Sequence, residues 1–149
     1  MNKRLSSCKV DSIEEFALDK PLPVPTPTSQ PYWDGLAAGE VCLQRCDDCD
    51  AWVFYPRNRC SNCLSDQLTW HTVSGEGKLY TFTLARQPTA PHFVDELPQK
   101  LAVVELDEGV RVTSTLVNVE EDAIAIGMRV KPFFDKMPGG ITLLRFEPA

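Results

Sequence analysis

The chain has 149 residues, a formal net charge of −6 and 43% hydrophobic residues. This length suits one ordinary domain or two small modules, and no apolar run approaches the roughly 18 residues that a membrane span needs. The acidic excess is spread along the chain, and no segment has the dense basic stripe that neutralises phosphates. The composition therefore predicts a globular protein that uses neither a membrane nor nucleic acid as its main partner.

The N-terminal segment is predicted to form an arm with short helical parts. Lys3 and Arg4 have no apolar stretch behind them, so we expect no secretory signal and a cytoplasmic location. Residues 12–18 predict one or two helical turns that begin with a capping box. Alternate prolines in residues 20–28 favour an extended polyproline conformation, which acts either as a stiff spacer or as a surface for a partner.

A short helix is predicted over residues 30–38. Ser29 has the residue type of an N-cap, and Gly39 has that of a helix end. Three apolar residues share one side of this helix, namely Tyr32, Trp33 and Leu36. Two interpretations stay open for them: packing on the core of the chain, and contact with a partner, because aromatic residues are enriched in interface cores.

Four cysteines form two close pairs with ten residues between the pairs: Cys46, Cys49, Cys60 and Cys63. A two-residue spacer brings two thiolates close enough to bind one metal ion, and Zn²⁺ in structural sites takes four such ligands in a tetrahedron. Cysteines in a chain without an export signal also indicate metal ligands rather than disulfides. We predict structural Zn²⁺, with no open position for a water or a substrate and therefore no catalysis by the metal.

The residues around the cysteines predict a small ribbon closed by one hairpin. A strand over residues 41–45 enters the first pair, residues 51–56 form the hairpin turn, and a strand over residues 68–73 leaves the second pair. Zn²⁺ with four thiolates carries a formal charge of −2, which nearby guanidinium groups offset. The candidates for this role are Arg45, Arg57 and Arg59, for which a solvated surface role is equally open.

From Gly75 onwards the pattern is that of an all-β domain. β-Branched and aromatic residues between short turn signals predict five strands, at 77–87, 100–107, 110–119, 129–135 and 141–147. Residues 107–109 form a tight hairpin, and residues 88–98 form a long first loop. Five strands of this length suit a small Greek-key barrel of the OB-fold type.

No complete catalytic constellation is present in the sequence. His71 lies in a predicted strand, whereas His92 lies in the long loop, which is a better position for a functional group. Cys42 is either a nucleophile or spare ligand, or a buried thiol that packs as a small hydrophobe. Cys8, near the N-terminus, looks incidental. On these residues alone, the chain is interpreted as a binding or assembly module.

The order of motifs along the chain resembles that of a known family. Pro-Tyr-Trp-Asp-Gly-Leu is followed by Arg-Cys-x-x-Cys, by Tyr-Pro-Arg-x-x-Cys-x-x-Cys and by Leu-x-Trp-x-x-Val-Ser-Gly-x-Gly-x-Leu-Tyr-Thr-Phe-Thr. The chain ends with Leu-Leu-Arg-Phe-Glu-Pro-Ala. From residue 21 to residue 149 it resembles the stand-alone proteins that join a rubredoxin-like zinc ribbon to an OB-fold, once catalogued as a domain of unknown function.

Members of that family are small partner subunits of thiolase-fold enzymes, such as the thiolase–HMG-CoA synthase, phloroglucinol acetyltransferase and sterol aldolase complexes. The resemblance implies a non-catalytic bridging subunit of an acyltransferase complex, with the catalytic cysteine in a thiolase-like or ketosynthase-like partner. It also implies that the small subunit can contribute to acyl or acyl-CoA binding. Arg86, His92 and Lys100 flank the long loop and are the candidates considered for such contacts.

The metal role carries over by resemblance to Cys46, Cys49, Cys60 and Cys63. Many relatives have glycine directly after each cysteine pair, where an unhindered N–H approaches sulfur, whereas this chain has Asp50 and Leu64. We therefore expect the site to close with a lower metal affinity.

The predicted fold is mainly β, with an N-terminal arm and helix at 1–40, a rubredoxin-like zinc ribbon at 41–74 and a five-stranded OB-fold at 75–149. Two alternatives to the bridging subunit remain. One is a single-stranded nucleic-acid-binding zinc-ribbon and OB module, because both kinds of domain bind nucleic acids. The other is an electron carrier with iron in the four-sulfur site.

Overall fold

The computed structural model describes residues 20–149. The helical turns predicted at residues 12–18 and the cysteine at position 8 lie outside the described residues. After the proline arm, helix α1 (Gln30–Ala38) begins and ends where the sequence predicts. Its end is confirmed by Gly39, which has a left-handed φ of 82° and donates its N–H to the carbonyls of Gly35 and Leu36. None of the described helices is long and apolar enough to cross a membrane.

Ser29 occupies the predicted N-cap position of the helix, but its side chain does not cap it. Its backbone is already right-handed helical, and its side chain forms no capping hydrogen bond with the helix. Instead, Ser29 Oγ accepts a hydrogen bond from the backbone N–H of Thr26 at 2.9 Å. The Thr26 carbonyl accepts the N–H groups of Ser29 at 3.0 Å and Gln30 at 2.8 Å. A turn in the arm therefore satisfies the first backbone donors and makes a side-chain cap unnecessary.

The ribbon is a three-stranded antiparallel sheet in the order β2-β1-β3. Its strands are β1 (Val41–Cys46), β2 (Trp52–Val53) and β3 (Leu68–Val73). Strands β1 and β3 lie close to the predicted positions, whereas β2 lies in the segment that was predicted as the hairpin turn. Val41 and Leu43 on β1 belong to the main hydrophobic core, and Tyr32 and Leu36 of α1 pack in the same core. The core interpretation of these two helix residues is confirmed. Trp33 is partly buried against them.

The second sheet has five antiparallel strands in the order β6-β5-β4-β7-β8. Its strands are β4 (Gly77–Ala85), β5 (Gln99–Leu106), β6 (Arg111–Thr115), β7 (Arg129–Lys136) and β8 (Thr142–Pro148). A parallel bridge between Leu116 and Phe146 brings the two outer strands together and closes the barrel. The mainly β fold, with a zinc ribbon followed by an OB-fold, is confirmed; the domain boundaries stay a prediction.

Two parts of the barrel differ from the predicted elements. Strand β6 ends at Thr115 rather than at residue 119. Leu116 still donates its N–H to the Lys100 carbonyl of β5 at 2.8 Å, but it also bridges to Phe146, and Asn118 turns the chain with a left-handed φ of 54°. The long loop at 88–98 contains a 3-10 helix at Pro91–Glu96, which no apolar period predicted. The hairpin at 107–109 is confirmed by the Gly109 N–H, which donates to the Leu106 carbonyl at 2.8 Å.

Two barrel strands approach each other closely at the point where the chain passes from the ribbon into the barrel. Gly77 lies opposite Leu106 in the β4–β5 ladder, and a Cβ at position 77 would lie 2.3 Å from the Glu105 carbonyl oxygen. Arg129 holds the same junction from the β7 side, with Nη1 at 2.7 Å from Asp107 Oδ1 and Nη2 at 3.1 Å from Glu76 Oε2. Glycine is therefore required at position 77 by space, not by its dihedral angles.

Replacing Gly77 with alanine should destabilise the protein, because the new methyl group meets backbone that cannot move alone. We expect Gly77→Ala to lower the free energy of unfolding by about 1–3 kcal/mol, the usual cost of overpacking. The measurement is urea unfolding followed by tryptophan fluorescence. Lys78→Ala, at the exposed neighbouring position, is the matched control and should unfold close to wild type. Equal midpoints for both variants would contradict the role of this contact.

Candidate metal centre

The four paired cysteines meet at one point of the ribbon. Their sulfur atoms lie within 4.8 Å of one another. The Sγ–Sγ distances are 3.6 Å for Cys46–Cys63 and 3.6 Å for Cys49–Cys60. Zn²⁺ with bonds of about 2.3 Å to sulfur needs tetrahedron edges of about 3.8 Å. The spacing of the sulfurs therefore fits a single zinc ion, and the ligand role of these cysteines stays a prediction.

The two cysteine pairs have the same local backbone. The N–H of Asp50 donates to the Cys46 carbonyl at 2.9 Å, and the N–H of Leu64 donates to the Cys60 carbonyl at 3.1 Å. Both Asp50 and Leu64 have a left-handed backbone, with φ of 61° and 65° respectively. These are the positions at which relatives were expected to have glycine. The turn therefore keeps its shape without glycine, at the steric cost that a Cβ imposes in this region.

Asn62 supplies hydrogen bonds to two of the sulfurs. Its side-chain amide donates to Cys49 Sγ at 3.6 Å, and its backbone N–H donates to Cys60 Sγ at 3.3 Å. The side-chain contact, followed by the backbone N–H of Ala51, lowers the pKa of Cys49 to about 6. Zinc binds the thiolate rather than the thiol, so donors that favour the charged sulfur suit a metal ligand.

The arginines near the cysteines mainly support the backbone of the turns. Arg45 Nη2 lies 3.2 Å from Asp50 Oδ1, and Arg59 Nη1 donates to the Leu64 carbonyl at 3.1 Å. Both arginines thus hold the residues that follow the cysteine pairs. Neutralisation of the cluster by Arg45, Arg57 and Arg59 stays a prediction.

Gln44 is a buried polar residue of the ribbon, with 5% exposure, that sequence reasoning did not single out. Its amide donates to the Arg57 carbonyl at 2.9 Å and accepts from the Arg57 N–H at 2.8 Å. It thereby joins β1 to the loop before the second cysteine pair. A glutamine in a strand has no local pattern that predicts this contact, which depends on a loop 13 residues away.

The other sequence candidates do not join the cysteine cluster. Cys42 Sγ lies 3.8 Å from Thr72 Oγ1. The ring of His71 shares a hydrogen bond with Thr69 and contacts Trp52 edge to face. His92 contacts the ring of Phe93 edge to face in the 3-10 helix. Arg86 pairs with Glu121, and Lys100 donates to the Val119 carbonyl at 2.5 Å. Among the described residues, these side chains are spread over separate parts of the surface.

Two family descriptions match consecutive parts of the chain. They are "ChsH2, rubredoxin-like zinc ribbon domain" at residues 33–69 and "ChsH2, C-terminal OB-fold domain" at residues 70–135. A DUF35 domain-containing scaffold protein of Methanothermobacter thermautotrophicus is 38% identical over 101 residues, which cover 66% of this chain and 71% of that protein. The chain belongs to the DUF35 family.

This DUF35 protein is also similar to one part of a longer protein and to one chain of a solved complex. A probable enoyl-CoA hydratase alpha subunit of Thermomonospora curvata is 33% identical over 120 residues, or 79% of this chain but only 36% of that protein. The chain thus spans about a third of the length of that relative. A chain of the solved "Ltp2-ChsH2(DUF35) aldolase" superposes with a TM-score of 0.76 at 29% identity, covering 85% of this chain and 98% of that chain.

Removing one buried sulfur should abolish metal binding. We expect Cys60→Ser, at a position with 1% exposure, to lose zinc and to unfold the ribbon, because structural zinc supplies folding free energy. The control is Cys42→Ser, a thiol outside the cluster, which should keep one zinc per chain. Zinc content is measured by atomic emission after gel filtration. A Cys60→Ser protein that retained stoichiometric zinc and the native circular dichroism would show that the four-thiolate assignment is wrong.

Glycine at position 64 should stabilise the second turn of this DUF35 protein. Leu64→Gly removes the steric cost of a left-handed non-glycine residue, about 1–2 kcal/mol, and adds about 0.5–1 kcal/mol of backbone entropy loss. We expect a net gain of about 0.5–1 kcal/mol in the free energy of unfolding. Urea unfolding with zinc present measures it. Leu64→Ala keeps the Cβ and is the control, and an equal gain in both variants would assign the effect to loss of the exposed leucine side chain.

Proposed function

We propose that this protein is a non-catalytic scaffold subunit of a multi-subunit enzyme complex. The complex would form or break carbon–carbon bonds on acyl substrates, with the catalytic cysteine in a thiolase-like or ketosynthase-like partner. The superposition on a chain of the Ltp2-ChsH2(DUF35) aldolase, over 98% of that chain, is the observation that carries the proposal. The scaffold name of the Methanothermobacter relative supports the same role.

The described residues support the non-catalytic part of this proposal. The four sulfurs of the cysteine cluster lie together as one group. Cys42 contacts a threonine hydroxyl rather than a general base. His71 contacts Thr69, and His92 contacts Phe93. Within residues 20–149, no cysteine, histidine and carboxylate come together as a nucleophile, base and orienting group would. The chemistry is therefore assigned to a partner.

We propose that Zn²⁺ is held by Cys46, Cys49, Cys60 and Cys63 and has a structural role. A closed set of four thiolates lacks a position for substrate, and the ion would fix the turns that join β1, β2 and β3. Iron in the same site would make the isolated protein red, whereas a zinc protein is colourless. Cytoplasmic location and a contribution of this chain to acyl or acyl-CoA binding stay predictions.

The nucleic-acid alternative has less support from the surface charges. OB-folds that bind single strands do so on the face of their second and third strands, which are β5 and β6 here. Three basic groups near that face have acidic partners: Lys20 pairs with Glu96, Arg111 with Glu105, and Arg145 with Asp135. Lys100 of β5 instead donates to the Val119 carbonyl. A phosphate chain would have to compete with these carboxylates for each cation.

The proposed assembly is tested by affinity capture of the protein with a C-terminal tag from its native extract. We expect a thiolase-fold protein, identified by mass spectrometry, to co-elute in a fixed ratio that survives gel filtration. Capture should persist with Cys42→Ser and fail with Cys60→Ser, because docking requires the folded ribbon. Recovery of the protein alone, or with nucleic acid that is released by salt, would contradict the scaffold role.

A further inference from the structure

A cleft of about 490 Å³ lies where the arm, the ribbon and the barrel meet. One wall consists of the arm at 20–23 and helix α1, and the other consists of the outer faces of β5, β6 and β8. The end of the cleft is formed by Phe54 and Tyr55 from the ribbon. This volume falls in the range of small-molecule sites, roughly 300–1,000 Å³.

The cleft lies on the face that OB-folds use for ligands. Strands β5 and β6 and the loop between β4 and β5 line it, as in other OB-fold sites. Here the arm crosses that face. It is held by Lys20, which forms an ion pair with Glu96 and lies over the ring of Phe93, 5.1 Å from its centroid. The arm narrows an open face into a cleft.

Aromatic rings dominate one end of the cleft. Tyr32 contacts Trp33 with ring centroids 5.2 Å apart and Phe54 at 5.7 Å, and Phe54 contacts Tyr55 at 4.2 Å. Leu101, Leu143 and Leu144 add aliphatic surface from the barrel. Such a lining favours a ligand with an apolar body.

The charged residues of the cleft are already neutralised. Lys20 pairs with Glu96, and Arg145 Nε lies 2.6 Å from Asp135 Oδ2. Arg145 Nη1 also donates to Thr115 Oγ1 at 2.7 Å. A charged ligand would find no free opposite charge in the cleft. Removing its charge from water would therefore be costly. The charge pattern therefore favours a neutral ligand.

Tyr32 supplies a polar group at the aromatic end. Its side chain is 8% exposed and lines the cleft. Burial, and secondly the neighbouring Tyr55, raise the pKa of the Tyr32 hydroxyl above its ordinary value, so it keeps its proton. The hydroxyl is not one of the fully buried side-chain atoms that lack a partner, so it is open to the cleft and can donate a hydrogen bond to a ligand there.

We propose that this cleft binds a neutral, mainly apolar small molecule that carries a carbonyl oxygen, and that this oxygen accepts a hydrogen bond from Tyr32. The ring or chain of the ligand packs between the aromatic residues and the leucines of β5 and β8. This site goes beyond the scaffold role and does not require a partner subunit, so either one can fail while the other holds.

Two naphthalene dyes of similar size test the preference for a neutral ligand. Prodan is a neutral ketone, and anilinonaphthalene sulfonate is an anion; both change their emission in an apolar site. We expect saturable binding of prodan to the full zinc-loaded chain with a blue shift, and binding of the sulfonate at least about fivefold weaker. Equal or tighter binding of the sulfonate, or no saturable binding of prodan, would overturn the proposal.

Matched variants locate the binding in the cleft. Tyr32→Phe should weaken prodan about 2- to 10-fold, the effect of one hydrogen bond, whereas Tyr80→Phe, an exposed hydroxyl outside the cleft, should leave it unchanged. Leu101→Glu, in the apolar wall, should abolish binding. Val103 lies two residues further along the same face of β5 and outside the cleft. The Val103→Glu variant should therefore bind prodan like wild type. Unchanged affinity in both Tyr32→Phe and Leu101→Glu would overturn the assignment.

Two other occupants are distinguished by the same titration. A chain that lacks residues 1–19 should bind prodan as the full chain does. A large gain in affinity on this deletion would show that the preceding segment fills the cleft. Affinity that falls as protein concentration rises, with a dimer in gel filtration, would show that a second copy covers it. Either result would overturn the small-molecule assignment.

Discussion

Strand β1 belongs to both halves of the molecule. Val41 and Leu43 pack in the core shared by α1 and the barrel, whereas Cys46, at the end of the same strand, is buried in the separate cluster around the cysteines. Because successive residues of a strand are fixed relative to one another, the position of this sulfur is set by the packing of the barrel-side core. The metal centre and the barrel are therefore parts of one mechanical unit.

Helix α1 is placed by the same strand. Gly35 faces β1 so closely that a Cβ there would lie 2.7 Å from Cys42 Sγ. This approach allows Tyr32 and Leu36 to enter the core, and it also brings the aromatic side of the helix to the cleft. A partly buried thiol at position 42 thus has a packing role that explains its place in the strand without any reactivity.

The sequence predictions were correct where the signal is local and failed where the structure depends on contacts between distant segments. The β3 bounds at 68–73 and the end of α1 at Gly39 were predicted correctly, because periodicity and a left-handed glycine are local signals. The N-cap position of Ser29 was predicted correctly, but its side chain does not cap the helix, since the turn through Thr26 binds Ser29 Oγ and the first backbone donors. The cleft had no sequence signature at all: its walls come from segments that are separated along the chain and that only the closed fold brings together.

The two ends of the described chain leave the molecule at different places. Residue 20 lines the cleft and lies over the ring of Phe93, so the described chain begins at the cleft. Strand β8 then carries the chain away from Leu143 in the cleft to Ala149, whose N–H donates to the Arg129 carbonyl at the ribbon–barrel junction. A domain fused directly to residue 20 would begin at the mouth of the cleft, while one fused after Ala149 would begin at the ribbon–barrel junction. The covalent order of a fusion would therefore decide whether the attached domain and the cleft can share a ligand.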